Sequence, residues 1–94
     1  MAPGQLASHY APSKPLRLQA VARDDGEWLI GFGPIIGDAT LSASGDLSEA
    51  AANLFDALHR ADASPAPAIA VATIPEAGIG VAINDRLRRA AHRD

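Results

Sequence analysis

The stretch AIAVATI, residues 68–74, constrains this chain more than any other part of it. It is a continuous apolar run closed by Pro67 on one side and Pro75 on the other. Its shortness and its branched residues favour a buried central strand over a helix. Helical patterns lie on both sides. In DLSEAAANLFDALHRAD, residues 46–62, Leu47, Ala51, Leu54, Phe55 and Leu58 recur at helical spacing and make one apolar stripe. Asp46 stands three residues before Glu49, a variant of the capping box. After PEAG, residues 79–91 place Ile79, Ile83, Leu87 and Ala90 on one helical face. Arg86, Arg88 and Arg89 follow near the end of that helix, where cations suit its dipole. A closing β-α-β-α order predicts an α/β fold: a small parallel or mixed sheet of about four to five strands with two main helices packed on it.

The upstream strands are read from alternation. LRLQAV, residues 16–21, is a first strand, and ARDDGE, residues 22–27, is a polar turn in which Asp25-Gly26 is a hairpin-type signal. WLIGF, residues 28–32, is a second strand, with Trp28, Ile30 and Phe32 on one face. ATLSA, residues 39–43, is a short third strand. Residues 1–15 hold Pro3, Pro12 and Pro15 and read as an extended arm, stiffer than a Gly/Ser linker. The chain therefore divides into an arm, 1–15, and a folded body, 16–94. With 94 residues and only 4% aromatics, the body has one small core built on Leu, Ile and Val, with Ala at close contacts.

Charge and cysteine usage exclude several functions. A net charge of −3 is not that of a chain that binds nucleic acid by its overall charge. The absence of cysteine excludes disulfides, thiolate zinc sites and a cysteine nucleophile. MAPGQLASHY lacks the basic and apolar regions of a signal peptide, and no apolar run approaches the roughly 20 residues of a membrane span. The expectation is a soluble cytoplasmic domain without membrane contact.

Each candidate motif in the body has an ordinary structural explanation. GFGPIIG, residues 31–37, follows a strand, but its third Gly comes one position late for a dinucleotide fingerprint. Pro34 removes a donor, and no helix follows. His9, His59 and His92 lie far apart, so a metal site is not expected. Asp24, Asp25 and Glu27 form an acidic turn with too few oxygens for calcium. Ser42 and Ser44 near Asp46 suit a cap or turn rather than a nucleophile elbow. The arginines of RLRRAAHR, residues 86–93, suit a solvated helix end; phosphate binding is the alternative.

The arm is left. GQLASHYAP, residues 4–12, sets an imidazole, His9, next to a phenol, Tyr10. Two readings stay open: the rings pack on the chain's own body, or they lie over a nucleotide pocket supplied by another domain, where Tyr stacks or donates a hydrogen bond and His meets a phosphate.

APGQLASHYAP resembles the inter-domain linker of the two-domain L-threonylcarbamoyl-AMP synthase family, whose pattern runs roughly S-P-G-[MQ]-x-x-x-H-Y-A-P. The similarity continues through PLRL, SGDLSEAAANLF, HRADAS, AIAVATIP and GIGVAINDRLRRAA, over nearly the whole chain. The resemblance implies a small Rossmann-like C-terminal domain with its linker. In that family a separate N-terminal YrdC-type domain makes threonylcarbamoyl-adenylate from threonine, bicarbonate and ATP with Mg, for the modification of adenosine in tRNA. Pro3, Gly4, His9, Tyr10, Ala11 and Pro12 match the linker; Ala2 departs from it, since the pattern has Ser there. The resemblance implies that Tyr10, His9, Gly4 and Pro3 act as a lid contacting substrate or nucleotide. It further implies that the partner is the YrdC-type domain, and that this chain has no catalytic residue and binds no cofactor of its own. A stand-alone module docking tRNA or a modification partner is the alternative; an independent nucleotide-binding enzyme is a third reading.

Overall fold

The computed structural model describes residues 11–92. Four strands, β1 (Leu16–Ala20), β2 (Glu27–Gly31), β3 (Ala39–Thr40) and β4 (Ala68–Ala72), form one sheet with helices α1 (Leu47–Ala63) and α2 (Ile79–Ala91). The strand order is β1-β4-β2-β3, and every neighbouring pair is parallel. The expected α/β architecture is therefore present, and the sheet is parallel rather than mixed. AIAVATI takes a central position: Ile69 pairs with Leu16 on one side and with Trp28 on the other.

The hairpin suggested by Asp25-Gly26 is not formed. The turn is there, with Glu27 N–H donating to Asp24 O at 3.2 Å. But β4 lies between β1 and β2, and all three run the same way. A turn signal reports a local change of direction. Partner choice is decided by burial, and β4, buried along nearly its whole length, belongs inside the sheet. The expected third strand, 39–43, is also shorter than read. Leu41 is fully buried and its carbonyl accepts from Asn53 Nδ2 at 2.9 Å, while Ser42 is drawn into the cap of α1.

Both helices cover one face of the sheet. Ile30, Ile69 and Val71 share a single apolar cluster with Leu54, Leu58, Ile83 and Leu87, and Leu16, Leu18 and Trp28 pack against it. Burying side chains of this kind contributes about 1.5–3 kcal/mol each. Asp46 caps α1, its Oδ1 accepting from Ser48 N–H at 2.8 Å and Glu49 N–H at 3.2 Å. The capping box closes through a relay: Ser42 Oγ accepts from Asp46 N–H at 2.9 Å and donates to Glu49 Oε1 at 2.6 Å. Ser44 Oγ lies 3.2 Å from Ser42 Oγ, so both serines serve the cap.

The buried stripe of α1 is Ala50, Leu54, Ala57, Leu58 and Ala61. Ala51 and Phe55, read as core residues, face outward, and Phe55 packs edge-on against His59 with ring centroids 4.2 Å apart. The stripe was misplaced because α1 carries alanine on several faces, and alanine fits a tight helix–sheet contact as readily as it fits solvent. In α2, Ile83, Leu87 and Ala90 are buried as read, whereas Ile79 points outward from the first turn. Buried Asn84 joins that stripe and donates from Nδ2 to Ile74 O at 2.9 Å, tying α2 to the chain leaving β4.

Candidate functional site

His9, Tyr10, Gly4 and Pro3 lie outside the described residues. What is described is the root from which they extend. Pro12 is buried. Ser13 donates to Asp62 Oδ1 twice, from its backbone N–H at 3.1 Å and from Oγ at 3.0 Å. Lys14 Nζ donates to Ala61 O at 3.1 Å, Ser64 O at 2.5 Å and Ser64 Oγ at 3.4 Å. Ala61 lies in the last turn of α1 and Ser64 caps it, the end of the helix where the dipole favours a cation. Pro15 O then accepts from Ile69 N–H at 2.9 Å, carrying the arm into the sheet. Sequence reasoning missed this clamp. Its signal was Lys14, the chain's only lysine, placed just before a strand.

The second feature is the face of the sheet without helices. Ala20, Leu29 and Ala70 form a small buried cluster there, with Ile35 packed on it. Among the described residues two short connections cover it: 21–26 from β1 to β2, and 32–38 from β2 to β3. Ion pairs buckle both. Arg17 Nε and Nη2 each donate to the Glu27 carboxylate at 2.8 Å, and Nη2 also donates to Ala22 O at 3.0 Å. Glu27 Oε1 accepts Asp24 N–H at 2.8 Å. The hydrogen bond from Arg17 is the main cause that holds the Glu27 carboxyl below its usual range, and the same bond raises the Arg17 pKa. Arg23 Nη1 donates to both oxygens of Asp38, at 2.7 and 2.9 Å. Asp38 Oδ2 also accepts Leu29 N–H at 2.9 Å; that bond first, and Arg23 second, lower the Asp38 pKa. Between the buckles lies an open pocket of about 400 Å³ with Val21 and Ile36 on its rim.

The remaining candidates resolve into structure. The GFGPIIG loop turns back on itself, Phe32 N–H donating to Ile35 O at 2.9 Å, and leads into β3 without a helix. A side chain at Gly37 would put Cβ 2.3 Å from Leu29 O, so that glycine serves close packing. His59 Nδ1 lies 3.1 Å from Phe55 O, and His92 N–H closes the end of α2 on the Arg88 and Arg89 carbonyls. Arg88 pairs with Glu76 at 2.8 Å and Arg89 with Asp85 at 3.3 Å, as a solvated helix end would. Among the described residues no group of three or more His, Cys, Asp or Glu is placed to hold a metal ion. No described helix is long and apolar enough to cross a membrane.

The model of the threonylcarbamoyl-AMP synthase C-terminal domain family matches residues 1–92. The chain belongs to that family. The family resemblance carried by His-Tyr-Ala-Pro and the closing GIGVAINDRL segment is borne out. Among solved structures, the chain is similar to P. abyssi Sua5 complexed with L-threonine, with a TM-score of 0.66 and 28% identity over 89% of this chain. The threonylcarbamoyl-AMP synthase C-terminal domain seen here spans 30% of the length of that Sua5 chain. No curated protein matches.

Proposed function

We propose that this chain is the accessory domain and active-site lid of an L-threonylcarbamoyl-AMP synthase. In this reading catalysis resides in a YrdC-type domain, which binds threonine, bicarbonate and ATP with its magnesium in the cytoplasm. The arm, 1–15, closes over that site; the body, 16–94, anchors it. Tyr10 and His9 face the nucleotide, with Gly4 and Pro3 shaping the approach. Closure excludes water from the labile carbamate and adenylate, and opening releases product for tRNA modification. The observation that carries the reading is the family match over residues 1–92, with a solved relative described as complexed with L-threonine. The clamp of Ser13 and Lys14 on α1 supports it, because a lid needs a fixed hinge.

The test is threonylcarbamoyl-AMP formation by the catalytic domain assembled with this chain carrying Tyr10→Ala or His9→Ala. Turnover is expected to fall, more adenylate to be lost to hydrolysis, and the melting temperature of this domain to stay unchanged. A large drop in melting temperature with normal turnover would mean instead that the rings pack on the body. The alternative, a module that docks tRNA, requires salt-sensitive tRNA binding by the isolated chain.

A further inference from the structure

All-parallel sheets are normally covered on both faces, because each crossover between parallel strands lays a helix of a dozen or more residues across the sheet. Among the described residues, this sheet has its helices on one face. On the other, the crossovers are the short connections 21–26 and 32–38, which reach over Ala20, Leu29 and Ala70 but leave Val21 77% and Ile36 86% exposed beside an open pocket. We propose that this helix-free face, centred on Val21 and Ile36, is where the catalytic domain of a threonylcarbamoyl-AMP synthase docks. The inference rests on the reading above and adds the surface that reading lacks.

Three observations select that occupant. The domain accounts for 30% of the length of the Sua5 chain it resembles, so the larger part of such an enzyme lies outside it and is available as cover. The charges around the pocket are matched internally, Arg23 with Asp38 and Arg17 with Glu27 and Asp24. A face with paired charges and branched apolar side chains on its rim suits a protein partner and offers little to nucleic acid, which binds cations still able to meet phosphate. The surface is also concave. A two-fold contact with a second copy would set pocket against pocket, whereas a partner with a protruding element can fill it.

The experiment follows the ¹⁵N-labelled 94-residue chain by NMR as the unlabelled YrdC-type catalytic domain from the same genome is added. Shifts confined to residues 21–23 and 34–38 are expected. Val21→Asp with Ile36→Asp should raise Kd by about ten-fold or more while the spectrum of the free chain stays native-like, and Val81→Asp on α2 should leave Kd unchanged. Shifts clustered instead on Phe55, Ile79 and Val81 would overturn the proposed face and leave the accessory role standing. Self-association of the chain with residues 21–23 and 34–38 protected would overturn the occupant. No shift anywhere would overturn docking altogether, and the turnover assay with Tyr10→Ala would then decide the lid reading separately.

Discussion

Arg17 and Glu27 belong to strands that are not neighbours, yet their side chains meet through two hydrogen bonds of 2.8 Å. The register places Arg17 opposite Ala70 and Glu27 opposite Ala68, so the pair crosses β4 diagonally over alanines. This buckle holds the β1–β2 crossover in place of a covering helix. Glu27→Gln should cost about 1–2 kcal/mol, read as a shift in the urea midpoint. The melting temperature should fall by roughly 5–10 °C.

Acid should find the same groups. The Glu27 and Asp38 carboxyls are both lowered in the folded chain. A lowered carboxyl contributes stability that is present above its unfolded pKa, about 4, and is lost as pH falls through the folded value. Melting temperature should therefore be flat in this contribution from neutral pH to about 5 and decline below about 4. Glu27→Gln and Asp38→Asn should each flatten that decline, which thermal melts across the acid range would measure.

Gly80, the second residue of α2, approaches the chain before it too closely for any side chain. A Cβ there would lie 1.9 Å from Pro75 O. Gly80→Ala should displace the start of α2 and destabilise the fold by about 2–3 kcal/mol, measurable by denaturant titration.

Asn84→Ala removes the donor that satisfies Ile74 O inside the core. The carbonyl left without its partner, together with the lost packing, should cost about 1–3 kcal/mol. Amide exchange should quicken at the start of α2 before it does in α1.

Loosening the arm's root should separate local from global stability. Lys14→Met with Asp62→Asn should speed amide exchange at Ser13 and Lys14 yet cost the fold less than about 1 kcal/mol, because the bonds at Ser13 are exposed. In the assembled enzyme this variant should lower turnover while the melting temperature of the body falls by no more than about 5 °C.

Much of the architecture was legible where residues act alone. Pro67 and Pro75 bracketed β4, and the spacing of Ile83, Leu87 and Ala90 marked α2. What escaped depends on distant partners. Nothing near Asp25-Gly26 shows that a strand some forty residues later will enter between β1 and β2. Ala51 and Ala50 are the same residue type, so only the sheet beneath decides which is buried. The clamp at Lys14 was hidden because its acceptors are backbone carbonyls, which no side-chain motif reveals. His9 and Tyr10 were conspicuous in the sequence and lie outside the described residues.

The small size of Ala70 governs substitutions well beyond its own position. Valine there would stand in the path of the ion pair above, release the crossover it buckles and shift the rim that carries Val21. A bulkier side chain at this point therefore calls for a longer crossover, so one methyl group limits how tightly that loop can be drawn down on the sheet.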